Sequence, residues 1–170
     1  LTKSMGSTTG SFMGLEKSKN ETKLLTINLN IKFEPGTLTS LTAYNYYEYD
    51  DQADVDILPI DFLHLSSFQK NKQFSQEIRF TSNTLDDFNY IIGLYYQNDD
   101  LDSLRNTDID GNLIGQGFSG RRSNTFKQES SNQAIFGQGN YEFNSNWTVN
   151  FGARLSRSKK ILFKNLYIAE

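Results

Sequence analysis

Residues 23–37 read KLLTINLNIKFEPGT. Up to Phe33, apolar side chains at alternate positions share one face, and Thr, Asn and Lys occupy the other. A period of two over this length excludes a helix and is typical of a β-strand with one apolar face and one polar, solvated face. The Pro35-Gly36 pair that follows predicts a tight turn. We therefore predict that a strand over Lys23–Phe33 opens an antiparallel hairpin.

Five further segments are predicted to be strands of about the ten residues that cross a hydrocarbon layer. Their spans are Leu38–Tyr49, Gln73–Thr81, Phe88–Gln97, Asn132–Phe143 and Trp147–Ser156. The pattern leaves the apolar face of Leu38–Tyr49 undecided, because both parities carry apolar and aromatic residues. Gln76 is an exception on the otherwise apolar parity of its segment.

The connections between these segments alternate between short and long. The short ones are Glu34–Thr37, Asn83–Asp87 and Asn144–Asn146, and the long polar ones are Asp50–Lys72 and Asn98–Thr125. All short turns then fall at one end of an up-and-down meander, as in a transmembrane β-barrel. Aromatic residues crowd the short turns, where such a barrel carries an aromatic girdle. A soluble antiparallel β-sandwich is the alternative, since its strands alternate as well.

Composition limits the possible classes of protein. The 170 residues are 36% apolar and 14% aromatic, with no cysteine and a net charge of −3. No apolar run approaches the ~18 residues of a membrane-spanning helix, so a membrane protein with this sequence has to be a barrel. The mixed charges form no basic stripe, and nucleic acid is not an expected partner. The chain opens on Leu1 without a signal peptide and stops after an apolar stretch, so we expect an internal piece of a longer protein.

Several segments resemble the β-barrel of TonB-dependent outer-membrane receptors. They are LTSLTAY (38–44), FSQEIRFTS (74–82), YIIGLYY (90–96), AIFGQGNY (134–141) and WTVNFGARL (147–155). Each is degenerate alone, but their order and spacing over about residues 22–160 are specific. The resemblance implies an all-β fold: an antiparallel meander of about six strands, part of a barrel of about 22. Residues 1–170 would then be a partial barrel domain, without the plug domain and the remaining strands.

The resemblance also implies a function. Such receptors of the Gram-negative outer membrane import ferric siderophores, cobalamin or saccharides, with energy from the TonB complex. We expect active transport without a cofactor or enzymatic activity. The expected partners are outer-membrane lipid, a metal chelate or other small nutrient, and TonB, which would act only through the absent plug and its preceding box. A passive porin-like channel is the alternative within transport.

No residue is assigned a catalytic or metal-binding role. His64 is the only histidine, and Ser66 and Ser67 lie too near it in sequence to support a catalytic triad, which disfavours an outer-membrane hydrolase. The acidic cluster Asp50, Asp51, Asp54 and Asp56 lacks the fixed Gly and terminal Glu of a calcium loop. The segment 108–112 is predicted to be a tight turn at the tip of a long loop.

The candidate ligand-binding residues are aromatic or charged side chains expected on extracellular loops. They are Tyr46, Tyr47, Tyr49, His64, Arg121 and Arg122. Tyr and Arg offer cation–π or charge-assisted contacts to aromatic and anionic chelates.

Overall fold

The fold is a single six-stranded antiparallel sheet with its strands in chain order. It is seen in a computed structural model that describes residues 16–55, 62–83, 88–117, 119–144 and 146–169. The strands are β1 (Lys17–Phe33), β2 (Gly36–Asp54), β3 (Leu63–Ser82), β4 (Phe88–Asp110), β5 (Ser119–Asn144) and β6 (Trp147–Ala169). The predicted all-β meander is confirmed. Most of the tight connection predicted at 83–87 lies outside the described residues.

The strands are much longer than predicted, from 17 residues in β1 to 26 in β5. The predicted long connections Asp50–Lys72 and Asn98–Thr125 are therefore wrong, because strand occupies most of both. What remains between strands is 55–62 and 111–118. Apolar alternation marks only the part of a strand that faces a greasy environment. The backbone ladder continues through polar residues, and β4 ends at Asp110, directly before Gly111.

The predicted tip at 108–112 coincides with the end of β4. A 3₁₀ turn over Gly111–Ile114 follows directly. The Asp110 side chain accepts a hydrogen bond from the backbone N–H of Asn112 at 3.2 Å, and Gly115 adopts the left-handed conformation with φ 75°. Asp and Gly are therefore used here as turn chemistry requires.

The strand register divides the sheet into an apolar face and a polar face. Residues directly opposite each other in an antiparallel pair point to the same side. One row of the apolar face consists of Leu29, Ser40, Ile78, Leu94, Ile135 and Leu155. The same pairing resolves β2, where Leu38 and Tyr44 lie on the apolar face and Leu41 and Ala43 on the polar face.

The apolar face carries a continuous apolar band. Its segments are 25–33 in β1, 38–44 in β2, 74–80 in β3, 88–96 in β4, 135–143 in β5 and 147–155 in β6. They approach the ~9–11 residues that a tilted strand needs to cross the hydrocarbon layer. We call the edge beside the tight turns the turn end and the opposite edge the distal end.

The band crosses the sheet diagonally. Its distal end is Leu25 in β1, but in β6 it is Leu155, four residues short of Lys159, which lies in the row of Leu25. From β1 to β6 the band therefore shifts by four residues, ~13 Å along a strand, over five strand spacings, ~24 Å. The strands consequently tilt by about 30° from the direction perpendicular to the band. This is close to the ~35–45° of transmembrane barrels.

Aromatic rings line the turn end of the band, as predicted. The rings of Phe33 and Phe80 have centroids 5.9 Å apart, and those of Phe80 and Tyr90 are 5.8 Å apart. Phe88 continues the row, at 5.6 Å from Tyr90 and 6.2 Å from Phe151. The row thus extends from β1 to β6 in the position of an interfacial aromatic girdle.

Gln76, the polar exception in the β3 segment of the band, is hydrogen bonded on the apolar face itself to two polar residues of the β2 segment. Its Oε1 accepts from the Thr42 hydroxyl at 2.5 Å, and its Nε2 donates to Ser40 Oγ at 2.9 Å. These bonds satisfy the amide without water, as a polar group in an apolar environment requires.

The described residues form a single layer. A β-sandwich buries its apolar residues between two sheets, yet Leu29 is 58% exposed and Leu155 is 75% exposed. The soluble sandwich is therefore not the observed architecture. No helix in the described ranges is long or apolar enough to cross a membrane.

Gly93 and Phe136 face each other across β4 and β5 on the polar face. The ring of Phe136 covers Gly93 so closely that a Cβ at this position would lie 2.8 Å from Phe136 Cε1. A side chain at position 93 therefore has to displace the ring.

We expect Gly93→Ala to destabilise the intact barrel by about 1–3 kcal/mol, because the added methyl group overpacks against Phe136. The measurement is thermal unfolding in detergent, followed by heat-modifiable gel migration. Gly137→Ala is the matched control, since a Cβ there lies 3.5 Å or more from its neighbours. Equal stability of the two variants would contradict the prediction.

Candidate functional site

The polar face is lined by hydroxyl, amide and charged side chains. At the level of the band, Glu77 and Arg79 form an ion pair at 3.4 Å. The Arg154 guanidinium lies over two rings, 5.6 Å from the centroid of Tyr95 and 5.7 Å from that of Phe136. The charges of Glu77, Arg79 and Arg154 are thus held by neighbours on the same face, as expected in a water-filled lumen.

Three of the six candidate residues lie on the polar face. Tyr47 and Tyr49 are in β2 and Arg122 is in β5, all distal to the apolar band. Within the described part of the chain, Arg122 has no ion-pair partner, so its charge is available to a ligand.

The other three candidates lie on the apolar face, also distal to the band. Arg121 makes a bidentate pair with Asp108, at 2.5 Å and 3.1 Å. This hydrogen-bonded carboxylate raises the pKa of the Arg121 guanidinium. His64 lies in the same row, opposite Asp54 on β2 and Asp108 on β4. These side chains face away from the polar surface.

Tyr46 is the third candidate on the apolar face. Its hydroxyl donates a hydrogen bond to Glu48, and its ring lies 5.4 Å from Lys23 Nζ and 5.6 Å from Lys70 Nζ. Glu48 is also on the apolar face, beyond the band.

All six candidates lie in strands, so their predicted position on loops is wrong. The sheet continues past the distal end of the band, and alternation of side chains continues with it. Neighbours such as Tyr46 and Tyr47, or Arg121 and Arg122, therefore point to opposite sides. These residues were predicted to act together because they are adjacent in sequence, but adjacent residues of a strand lie on opposite faces of the sheet.

The polar-face candidates do not form one compact pocket. Tyr49 in β2 and Arg122 in β5 are three strand spacings apart, ~14 Å in the hydrogen-bonding direction alone. Only a bulky ligand could contact both. Between them, the buried Oδ1 of Asn71, which lies opposite Tyr47, has no hydrogen-bond partner among the described residues.

A cleft of about 500 Å³ lies beside Arg122 at the distal end of the sheet. Polar-face residues Thr107, Ile109, Gly120 and Ile168 contribute to its lining. It combines a guanidinium with aliphatic surface, the composition of a ligand pocket with few polar anchors.

Sequence analysis missed four other residues of this surface. Arg105, Phe126, Lys160 and Lys164 lie on the polar face of β4, β5 and β6, distal to the band. Together with Arg122, the three cationic residues Arg105, Lys160 and Lys164 make this part of the polar face basic. They could have been identified by extending the alternation of apolar-face and polar-face positions along each strand beyond the distal end of the band.

The acidic cluster does not converge on a metal site. Asp50 and Asp54 lie on the apolar face and Asp51 on the polar face, while Asp56 is outside the described residues. Across the described ranges, no three His, Asp or Glu residues are grouped so that they could hold a metal ion.

Comparison with known proteins links this geometry to a family. Residues 3–162 match the family described as TonB dependent receptor-like, beta-barrel. Among solved structures, the chain is similar to the ferric yersiniabactin uptake receptor FyuA from Yersinia pestis, with a TM-score of 0.67 and 12% identity. The match covers 93% of this chain and 27% of that one. No curated protein sequence matched the chain.

The family match covers almost the whole chain and agrees with the tilted, two-faced meander seen here. At 12% identity the structural likeness shows the fold alone. The chain belongs to the TonB-dependent receptor-like β-barrel family.

Proposed function

We propose that this chain forms part of the barrel wall of an active importer in the outer membrane of a Gram-negative bacterium. The imported solute would be a ferric siderophore or a similarly bulky nutrient. The observation that supports this proposal most directly is that the two faces of the sheet differ in polarity. Its apolar face bears a tilted band of bilayer width, and its polar face bears aromatic and cationic residues distal to that band.

The apolar face supports the proposed membrane location. Its exposed aliphatic side chains would face lipid, and its aromatic row would lie at the periplasmic interface. The tight turns would then be periplasmic, and the long distal extensions of the strands would be extracellular.

The polar face supports binding of a large ligand. Tyr47 and Tyr49 offer rings, and Arg122, which forms no ion pair with a described residue, offers a guanidinium on the opposite side of the surface. Their spacing favours a solute of siderophore size over a small ion. We propose these three as ligand-binding residues.

The six strands cannot close a barrel, so the wall needs strands from outside this chain. We propose that residues 1–170 are part of a barrel of about 22 strands that also holds a plug domain. Contact with TonB would be made through that plug and its preceding box. Family membership supports this assignment, as it supports a transport protein without enzymatic activity.

The proposed membrane location predicts opposite responses from two adjacent residues of β1. Leu29→Arg, at the centre of the band, is expected to cost about 2–4 kcal/mol, because the charge would face lipid at the bilayer midplane. Asn28→Arg, on the polar face, is expected to cost much less. Folding of the intact receptor into bilayers, titrated with denaturant, measures both. Equal costs would argue against a lipid-facing band.

The proposed binding surface predicts that the six candidates separate into two groups. The transported solute is first identified by growth of cells that depend on the receptor for uptake. Ferric siderophores are supplied as the sole source of iron, cobalamin as the sole source of that vitamin, or oligosaccharides as the sole source of carbon. The triple variant Tyr47→Ala, Tyr49→Ala, Arg122→Ala should then weaken its binding at least ~10-fold, or ~1.4 kcal/mol. The matched triple variant Tyr46→Ala, His64→Ala, Arg121→Ala should change the Kd by less than ~3-fold, since these residues face away. A larger loss in the second variant would refute the assignment of faces.

Energised import predicts that uptake depends on the proton-motive force. A protonophore should abolish accumulation of the identified solute in intact cells while leaving its binding to the receptor unchanged. Uptake that persists after the force is collapsed would instead support a passive porin-like channel.

A further inference from the structure

Charged side chains of the polar face are distributed unevenly across the described strands. On β1, β2 and β3 this face carries two cations and two carboxylates, and on β4, β5 and β6 it carries five cations and two carboxylates. The charged residues of the second group are Arg105, Arg122, Arg154, Lys160 and Lys164, with Asp99 and Glu142. The β4–β6 side of the polar face is therefore electropositive, while the β1–β3 side is balanced.

The five cations of the β4–β6 side are not neutralised by their neighbours, since none forms an ion pair with a described residue. Asp99 lies in the row of Lys160, but Ser130 of β5 stands between them and donates a hydrogen bond to Asp99 at 3.4 Å. On the apolar face of β5, by contrast, Arg121 pairs with Asp108. The positive charge of the polar face is thus left for a partner outside these strands.

Three of the five cations follow one another along a single strand. Arg154, Lys160 and Lys164 lie on the polar face of β6, with separations of ~20 Å and ~14 Å along the strand. The hydroxyl-bearing residues Ser156 and Ser158 occupy the polar-face positions between Arg154 and Lys160. This strand therefore carries a line of positive charge from its distal part to the level of the apolar band.

Two arginines continue the line to the distal end on neighbouring strands. Arg105 of β4 lies in the row two residues beyond Lys164, and Arg122 of β5 lies in the row four residues beyond it. Apolar side chains alternate with the cations, because Phe126 is directly opposite Lys164 and Leu162 is the next polar-face residue of β6. This combination suits an anion that has an apolar body.

The innermost cation of the line is Arg154, whose neighbour Leu155 is the distal end of the apolar band in β6. The rings of Tyr95 and Phe136 hold its guanidinium at 5.6 Å and 5.7 Å, and its Nε donates a hydrogen bond to Ser156 Oγ at 3.1 Å. Its two terminal nitrogens make no hydrogen bond with a described residue. A guanidinium held in this way can still bind an anion through paired N–H groups.

We propose that the β4–β6 side of the polar face is a path for an anionic solute. The solute would enter at Arg105, Arg122 and Lys164, and would pass Lys160 to reach Arg154 at the level of the bilayer. Successive cations between low-dielectric walls draw an anion inward, and the division of the charge among several sites allows it to leave each one. The inference rests on the proposed import function and narrows its solute to an anionic ferric chelate with an apolar body.

The first test is binding of three ferric complexes to the intact receptor, measured by equilibrium dialysis with radiolabelled iron. Ferric tris-catecholate and ferric citrate are anionic, and ferric tris-hydroxamate is neutral. At least one anionic complex should bind ~10-fold or more tightly than the neutral one, with an affinity that falls as ionic strength rises. Equal or tighter binding of the neutral complex, or no binding of either anionic complex, would overturn the proposal.

A pair of double variants tests which cations attract the anion. Lys160→Gln, Lys164→Gln should weaken binding of the anionic complex by at least ~10-fold. Lys70→Gln, Lys72→Gln makes the same substitutions on the apolar face and should bind within ~2-fold of the wild type. Heat-modifiable gel migration verifies that each variant is folded. Equal losses in the two variants would refute the path, because the net charge of the receptor would then explain them.

Substitution of Arg154 tests for a path that extends beyond the first binding site. Arg154→Gln should leave the affinity for the anionic complex within ~3-fold, but should lower the initial rate of uptake by intact cells at least ~5-fold. Arg154→Lys keeps the charge and should retain most of that rate. Equal uptake rates in the two variants would contradict a role for the charge of Arg154.

Failure of this proposal is distinguishable from failure of the proposed function. Uptake that depends on the proton-motive force but is confined to the neutral complex refutes the anion path and leaves active import standing. Uptake of an anionic complex that persists after the force is collapsed refutes active import and leaves the path standing.

Discussion

Continuous antiparallel hydrogen bonding between neighbouring strands is the constraint on which this structure depends. In lipid, each unpaired backbone group costs several kcal/mol, so a spanning strand must be paired along its length. β1 to β6 are paired in this way, with one register irregularity, near Glu142 and Asn144 at the turn end. A slip of one residue in any pair would exchange the two faces of a strand. The band, the aromatic row and the candidate ligand surface all follow from this register.

The division into two faces connects the fold to the proposed transport function. On one side, exposed aliphatic residues such as Leu29 and Leu155 need a greasy environment, and the polar exception Gln76 is satisfied by its neighbours. On the other side, Arg154 and Glu77 lie in local networks that suit water. Beyond the distal end of the band, both faces carry polar and charged side chains together with exposed apolar ones in β6, such as Phe163 and Ile168. In the proposed receptor, the polar face would line the lumen and would be the side available to a solute.

Much of the fold was predictable because lipid imposes a one-sided pattern on a strand. The clean alternation of 23–33 and the turn after it predicted the first hairpin, and the aromatic row was predicted from its position beside the turns. The extent of the strands was not predictable in the same way, since outside lipid neither face has to be apolar. The candidate site was predicted in part. Tyr47, Tyr49 and Arg122 share the polar face, while Tyr46, His64 and Arg121 do not.

The sequence by itself determined the strand class, the positions of the tight turns and the apolar width of the strands, because these depend on local periodicity and turn chemistry. Only the tertiary structure decided which parity of β2 faces lipid, since Leu38–Tyr49 is ambiguous until its pairing with β1 aligns Tyr44 with Leu25. It also decided the strand tilt and the separation of Arg121 from Arg122. These properties depend on hydrogen bonds between strands distant in sequence, and no local pattern within a single strand contains them.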